Sequence, residues 1–154
     1  MHACRYCAES SISTFARVAV IAFAAVLLAS CGLGQSRMRA EQGVKEFHAL
    51  LNKEQYDAIY DRSGDSLKNA WTRVDFKAYL TDIHSRLGTA GKAVSRGFLI
   101  SASTGQGTEV DLEMETTFDH GIANERFVWR LKGDQPVLLD YRADVKPAAG
   151  PTTV

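Results

Sequence analysis

The sequence predicts an α+β domain in which helices come first and an antiparallel sheet of about four strands follows. Three observations lead there. Apolar residues recur at helical spacing in three stretches between Val44 and Leu87. From Val94 onward the hydrophobic period changes to two and keeps that value to Tyr141. Glycines fall between the alternating runs, at Gly105/Gly107, Gly121 and Gly133, where hairpin turns call for them.

The first helix is marked by Val44, Phe47 and Leu51, with Leu50 beside them. Asn52 followed by Gln55 reads as a capping pair that restarts a second, short helix carrying Tyr56, Ile59 and Tyr60. Ser63-Gly64-Asp65 then breaks the chain. Thr72 with Asp75 three residues on is an N-cap pattern, and Phe76, Leu80, Ile83 and Leu87 form the apolar stripe of a third helix, widened by Tyr79. Gly88 suits a left-handed C-terminal stop. The strands follow as Phe98/Ile100/Ala102, Val110/Leu112/Met114/Phe118, Phe127/Trp129/Leu131 and Val137/Leu139/Tyr141, each alternating with polar or outward residues.

Charge suggests a register. A two-residue turn at His120-Gly121 sets Glu115 opposite Arg126, Asp111 opposite Arg130 and Glu109 opposite Lys132, all of opposite sign. The same count sets Met114 against Phe127 and Leu112 against Trp129. A four-residue turn, which keeps the same faces, is the alternative and places Glu113 against Arg130. A loop at Asp134-Gln135-Pro136 sets Arg130 against Asp140 and Trp129 against Tyr141. A loop at Gly105-Gln106-Gly107 sets Ile100 against Leu112 and Phe98 against Met114, and brings Arg96 beside Thr116, which lies opposite Glu125. One face is then a ladder of neutralised charge facing water. The other is apolar and covered by the helices. Only Arg96 and Glu125 bring charge to it, about 10 Å apart at the backbone, a gap two long side chains can span.

The chain has 18 basic and 18 acidic residues and a formal net charge of zero. No basic stripe is present, which argues against a nucleic-acid partner. The N-terminal segment carries Arg5 and Arg17, then an apolar run from Val18 to Leu28, then Leu28-Ala29-Ser30-Cys31. The run fits a signal h-region of roughly 7–15 residues and is shorter than the ~20 a membrane-spanning helix needs. The segment resembles a bacterial lipoprotein signal, in which cleavage leaves the Cys as an acylated first residue. That resemblance implies a signal peptide over 1–30, lipidation of Cys31 by palmitate-type chains, and a membrane anchor. Gly32, rather than Asp, follows Cys31, and by the same resemblance this implies the outer membrane, facing the periplasm. Cys4 and Cys7 form a C-x-x-C in the part to be removed, so the mature domain is expected to hold no disulfide. Residues 31–39 read as a tether, 40–145 as one α+β domain, and 146–154 as a disordered tail.

Helices followed by a meander of long strands look like the nuclear transport factor 2-like, or cystatin-like, fold, in which a curved sheet wraps helices into a cone with a pocket. Ser95-Arg96 after the long helix, then Glu125-Arg126-Phe127 and Leu139-Asp140-Tyr141, are similar to a group of uncharacterised bacterial lipoproteins with that fold. The superfamily includes isomerases and cyclases that place an Asp/His or Asp/Tyr constellation inside the cone. Here Glu125 is the one inward carboxylate, so no catalytic motif carries over, and fold alone does not imply a reaction.

The candidate positions are Arg96, Thr116, Glu125, Trp129 and Tyr141. Glu125 reads first as an ion pair with Arg96 that closes the wide end of the cone, since buried charges are usually paired. The alternative is a base tuned by its apolar surroundings. Trp129 and Tyr141 are core residues whose polar tips can line a pocket. His48 and His84 border apolar stripes without converging partners, and His120 is a turn residue. No cofactor or metal is expected, and no G-x-S-x-G nucleophile motif occurs. The expected role is a non-catalytic module that binds a small apolar ligand or an envelope protein. The alternative is an isomerase- or cyclase-type enzyme using Glu125 with Tyr141 or Tyr79.

Overall fold

A computed structural model describes residues 34–147 apart from 104, 106 and 134. The signal segment, Cys31 and residues 148–154 lie outside the described residues. The helices and sheet that follow lie in the compact unit 36–154, apart from residues 34 and 35.

Four helices precede the sheet: α1 over 34–51, α2 over Tyr56–Arg62, α3 over Asp65–Ala70 and α4 over Arg73–Leu87. Residues 34–39, expected as a tether, are the first turns of α1. Arg37 donates to Glu41 one turn on at 2.7 Å, a favourable i, i+4 pair that the Gly- and Ser-rich composition obscured. α1 ends in a Schellman arrangement. Gln55 N–H donates to the Leu50 carbonyl and Glu54 N–H to Leu51, both at 2.9 Å, with Glu54 itself at φ 55. Asn52 therefore does not cap α2, whose N-cap is Gln55 without a side-chain bond. Its amide instead clamps Ala90 from both sides, accepting from Ala90 N–H at 2.8 Å and donating to Ala90 C=O at 2.9 Å.

Ser63 and Gly64 break the chain as expected, but Asp65 opens the additional helix α3. Gly64 N–H donates to the Leu138 carbonyl at 2.8 Å, and a Cβ on Gly64 would stand 2.9 Å from the Leu139 side chain. α4 is as the sequence indicates. The Thr72 hydroxyl accepts from Asp75 N–H at 3.1 Å, Phe76, Leu80, Ile83 and Leu87 are buried, and Gly88 ends the helix at φ 77.

The sheet is a curved, antiparallel meander in the order β1-β2-β3-β4, with β1 Ala90–Ser103, β2 Gly107–Phe118, β3 Gly121–Lys132 and β4 Gln135–Pro147. β4 thus extends through residues 146–147, where the sequence predicts a tail. Trp129 is 5 % exposed and packs inward, while Arg130 pairs outward with Glu109. In β2 and β3 the faces are those expected, but the registers are not. Asp119-His120, not His120-Gly121, is the β2–β3 turn, so Phe118 pairs with Gly121, Glu113 with Arg126, Glu109 with Arg130 and Leu112 with Phe127. The turn sits there because both residues are bound to the α4–β1 junction. The Asp119 carboxylate accepts from Thr89 N–H at 2.8 Å, and His120 N–H donates to the Leu87 carbonyl at 2.9 Å. That backbone donor holds the Asp119 carboxyl below its ordinary range.

The other two hairpins are displaced as well. Ile100 faces Val110 and Phe98 faces Leu112, two residues from the expected partners. In the last hairpin Trp129 faces Leu138, and after a bulge Phe127 faces Tyr141. That bulge breaks the alternation of β4, so Leu138 and Leu139 are both buried.

Candidate functional site

Glu125 is the one buried carboxylate among the described residues, at 2 % exposure. β3 places it inward by simple alternation with Ala123, Phe127 and Trp129. Both carboxylate oxygens are satisfied. The Tyr141 hydroxyl donates to Oε1 at 2.6 Å, and His48 Nε2 meets Oε2 at 2.8 Å. Tyr141 reaches it from β4, on the same face and diagonal to Glu125, which itself faces Ala143. His48 reaches it from α1, where it lies on the buried stripe one turn after Val44.

An aromatic shell encloses the three polar groups. The His48 ring sits edge-on to Phe47 and Phe127, both at 5.8 Å, and to Phe118 at 6.2 Å. Tyr141 packs against Phe47 at 4.5 Å and Phe127 at 5.0 Å. Burial above all, and then the neighbouring charge of Glu125, hold the Tyr141 hydroxyl well above the ordinary tyrosine range. Tyr79 stands behind it, its ring 6.1 Å away and its hydroxyl accepting from Ala143 N–H at 2.9 Å. Burial raises its pKa too.

The expected Arg96–Glu125 ion pair is absent. Arg96 is exposed and pairs with Glu115 on the water side of the sheet. The cause is a bulge in β1 between Ser95 and Gly97, which leaves Arg96 out of the ladder and turns it away from the interior. Thr116 is inward and fully buried, but it faces Ala93 and Ala123 rather than Arg96 and Glu125. Its hydroxyl has no partner among the described residues. Trp129 stacks on Phe127 at 5.9 Å, and its indole nitrogen is likewise unpartnered. Of the five candidate positions, then, only Tyr141 meets Glu125. The second partner, His48, borders an apolar stripe in the sequence and shows no partner there. Its position directly after Phe47, with Val44 four residues before it, was the available signal.

Phe47, Phe118, Phe127 and Tyr141 belong to one buried cluster between helices and sheet. The pocket beside Trp129 and Leu138 holds about 50 Å³, room for a water or two. Two larger grooves lie at the surface. One, of about 740 Å³, runs between α1 and β1. Val44, Ala93 and Met114 contribute apolar surface to it, His48 borders it, and Arg37, Lys45 and Lys92 supply positive charge against the single acid Glu41. Arg37 is paired with Glu41, while Lys45 and Lys92 have no acidic partner among the described residues. The other groove, of about 680 Å³, lies over the charged face and is lined by Arg96, Arg126 and Arg142 alongside Glu113, Glu115 and Asp144. There the expected neutralisation holds with different partners, including a two-pronged Arg126–Asp111 pair with its shortest contact at 2.6 Å.

No protein-family model matches the chain, and no curated protein is significantly similar to it. Among the described residues, no cluster of His, Cys, Asp and Glu is arranged to hold a metal ion, and no helix is long and apolar enough to cross a membrane.

Proposed function

We propose that this chain is a lipid-anchored domain of the cell envelope, held at the periplasmic face of the outer membrane by acyl chains on Cys31, and that it binds a small ligand without transforming it. The site we assign is the α1–β1 groove. The observation that carries this choice is charge beside open space: of the two large grooves, this one sets Arg37, Lys45 and Lys92 against the single acid Glu41, whereas the other balances its arginines with carboxylates. About 50 Å³ is left beside the core, while about 740 Å³ is open beside His48, within the size range of small-molecule sites. An apolar floor with two lysines at the rim that lack an acidic partner among the described residues suits a ligand with an apolar body and an anionic end.

The anchor is tested by mass spectrometry of protein extracted from membranes, which should begin at an acylated Cys31. A mature chain that starts elsewhere, or carries an unmodified Cys31, refutes it. The groove is tested by titrating dodecanoate against dodecanol. Binding of the carboxylate that is lost in Lys45→Glu/Lys92→Glu supports the assignment, and equal affinity for both compounds overturns it.

A catalytic reading draws on the meeting of Glu125, Tyr141 and His48. Glu125 has both oxygens engaged and no exposed side-chain surface, so it would have to release a partner before touching a substrate. His48, which borders the groove, is the one of the three with access to it. Turnover of any compound that is abolished in His48→Gln, with the fold intact, would establish this reading over the first.

A further inference from the structure

β1 is an edge strand whose two halves are built differently. The half nearer α4 carries both irregularities of its ladder, between Ala90 and Ala93 and between Ser95 and Gly97, and both of its charges, Lys92 and Arg96. Bulges and edge cations are the usual devices that keep an open strand from pairing with another chain. The distal half, Gly97-Phe98-Leu99-Ile100-Ser101-Ala102-Ser103, has none of them. It contains no charge and no proline, and its pairing with β2 runs without interruption from Gly97 to Ser103. It also exposes apolar side chains on both faces, Phe98 at 50 % and Leu99 at 65 %. Phe98 is on the helix side, under the guanidinium of Arg37 at 4.6 Å.

We propose that this distal half of β1 pairs antiparallel with the same segment of a second copy, joining two sheets across a two-fold axis at Ile100. The sequence is self-complementary about that residue. Ile100 meets Ile100, Phe98 meets Ala102, Leu99 meets Ser101 and Gly97 meets Ser103, so each bulky side chain other than the central Ile100 lies opposite a small one. On the helix side the two Phe98 and two Ile100 side chains then form one apolar cluster. No like charges are brought together, because Arg96 lies four residues from the axis in each copy, placing the two about 26 Å apart along the strands. The bulge at Ser95–Gly97 ends the pairing on one side and the β1–β2 turn ends it on the other. The contact is isologous and closes as a dimer instead of growing into a fibre. An extended strand from a different protein could use the same edge, but it would not require this large-to-small symmetry.

The test uses the full chain in detergent micelles. Sedimentation equilibrium should show a concentration-dependent dimer. Leu99→Lys, at an exposed position, should shift the chain to monomer at every concentration reached, while its urea midpoint matches that of the wild type at concentrations low enough for the wild type to be monomeric. Leu99→Cys/Ser101→Cys should oxidise to a covalent dimer, and Lys92→Cys, about 50 Å from its counterpart in this pairing, should not; the native cysteines are common to both. A wild-type chain that stays monomeric, a dimer that survives Leu99→Lys, or cross-linking through Lys92→Cys would each overturn the proposal.

Discussion

The Tyr141 hydroxyl donates a 2.6 Å hydrogen bond to the buried carboxylate of Glu125, and the two side chains project from neighbouring strands onto the same face of the sheet. A buried carboxylate is tolerated only when its oxygens are satisfied. Tyr141→Phe removes one of two donors while leaving the ring in place. Loss of a hydrogen bond to a charged group should lower stability by about 1.5–3 kcal/mol, read as a reduced urea midpoint at an unchanged m-value. Glu125→Gln should also be destabilising, since the amide offers one acceptor oxygen where the carboxylate offers two. An unchanged melting temperature in Glu125→Gln would show that the network does not hold the interior together.

The same pair sets an alkaline limit. Folding raises the Tyr141 pKa, through burial first and then Glu125, so above the unfolded value of about 10 the folded state binds the proton more tightly than the unfolded chain. The stabilisation is therefore complete below about pH 10 and is lost as pH climbs from there towards the folded value. Chemical denaturation across about pH 8.5–11.5, on either side of the ordinary tyrosine value, should show stability falling on the alkaline side. Tyr141→Phe should flatten that fall while starting from a lower plateau.

α1 ends on Glu54 at φ 55, a left-handed conformation that a side chain with a Cβ adopts at a cost of about 1–3 kcal/mol. Glu54 is exposed, and among the described residues no hydrogen bond or ion pair involves its side chain. Glu54→Gly should therefore raise stability by about 1 kcal/mol. Thermal unfolding monitored by circular dichroism checks this, and a lowered melting temperature would contradict the strain argument.

Gly88 presents the opposite case. Its φ 77, ψ −148 conformation is open in practice only to glycine, and a Cβ there would stand 2.8 Å from the His120 ring and 2.9 Å from Asp119. Gly88→Ala should destabilise by more than the backbone strain alone, about 2 kcal/mol or above. It should also loosen the Asp119-His120 turn, visible as faster amide exchange at Thr89 and His120. Normal protection at both amides would show that the turn does not depend on Gly88.

The sequence discloses which side chains face inward far better than it discloses which ones meet. Displacing an antiparallel pair by two residues leaves every side chain on its original face. The alternation around Trp129 and Arg130 therefore could not distinguish the observed β2–β3 pairing from the one suggested by charge. The choice was made elsewhere in the chain, by Thr89 and Leu87 holding Asp119 and His120. Arg96 was misplaced for a similar reason, because a bulge leaves no mark on a two-residue period. α3 was invisible because six residues with a single buried side chain, Leu67, carry no periodicity. Tyr141 was found as a core residue with a polar tip, whereas His48 was passed over because its partner lies 77 positions away.

Asn52 gives Ala90 a donor and an acceptor at 2.9 and 2.8 Å, as an adjoining strand would. The side chain of the residue just after α1 thereby fastens the first rung of β1, and the helix carrying His48 cannot lift away without unzipping that rung. Any ligand that wedges the helix outward must also release the Ala90 amide proton to solvent. A single exchange rate therefore reports when the groove has been forced open.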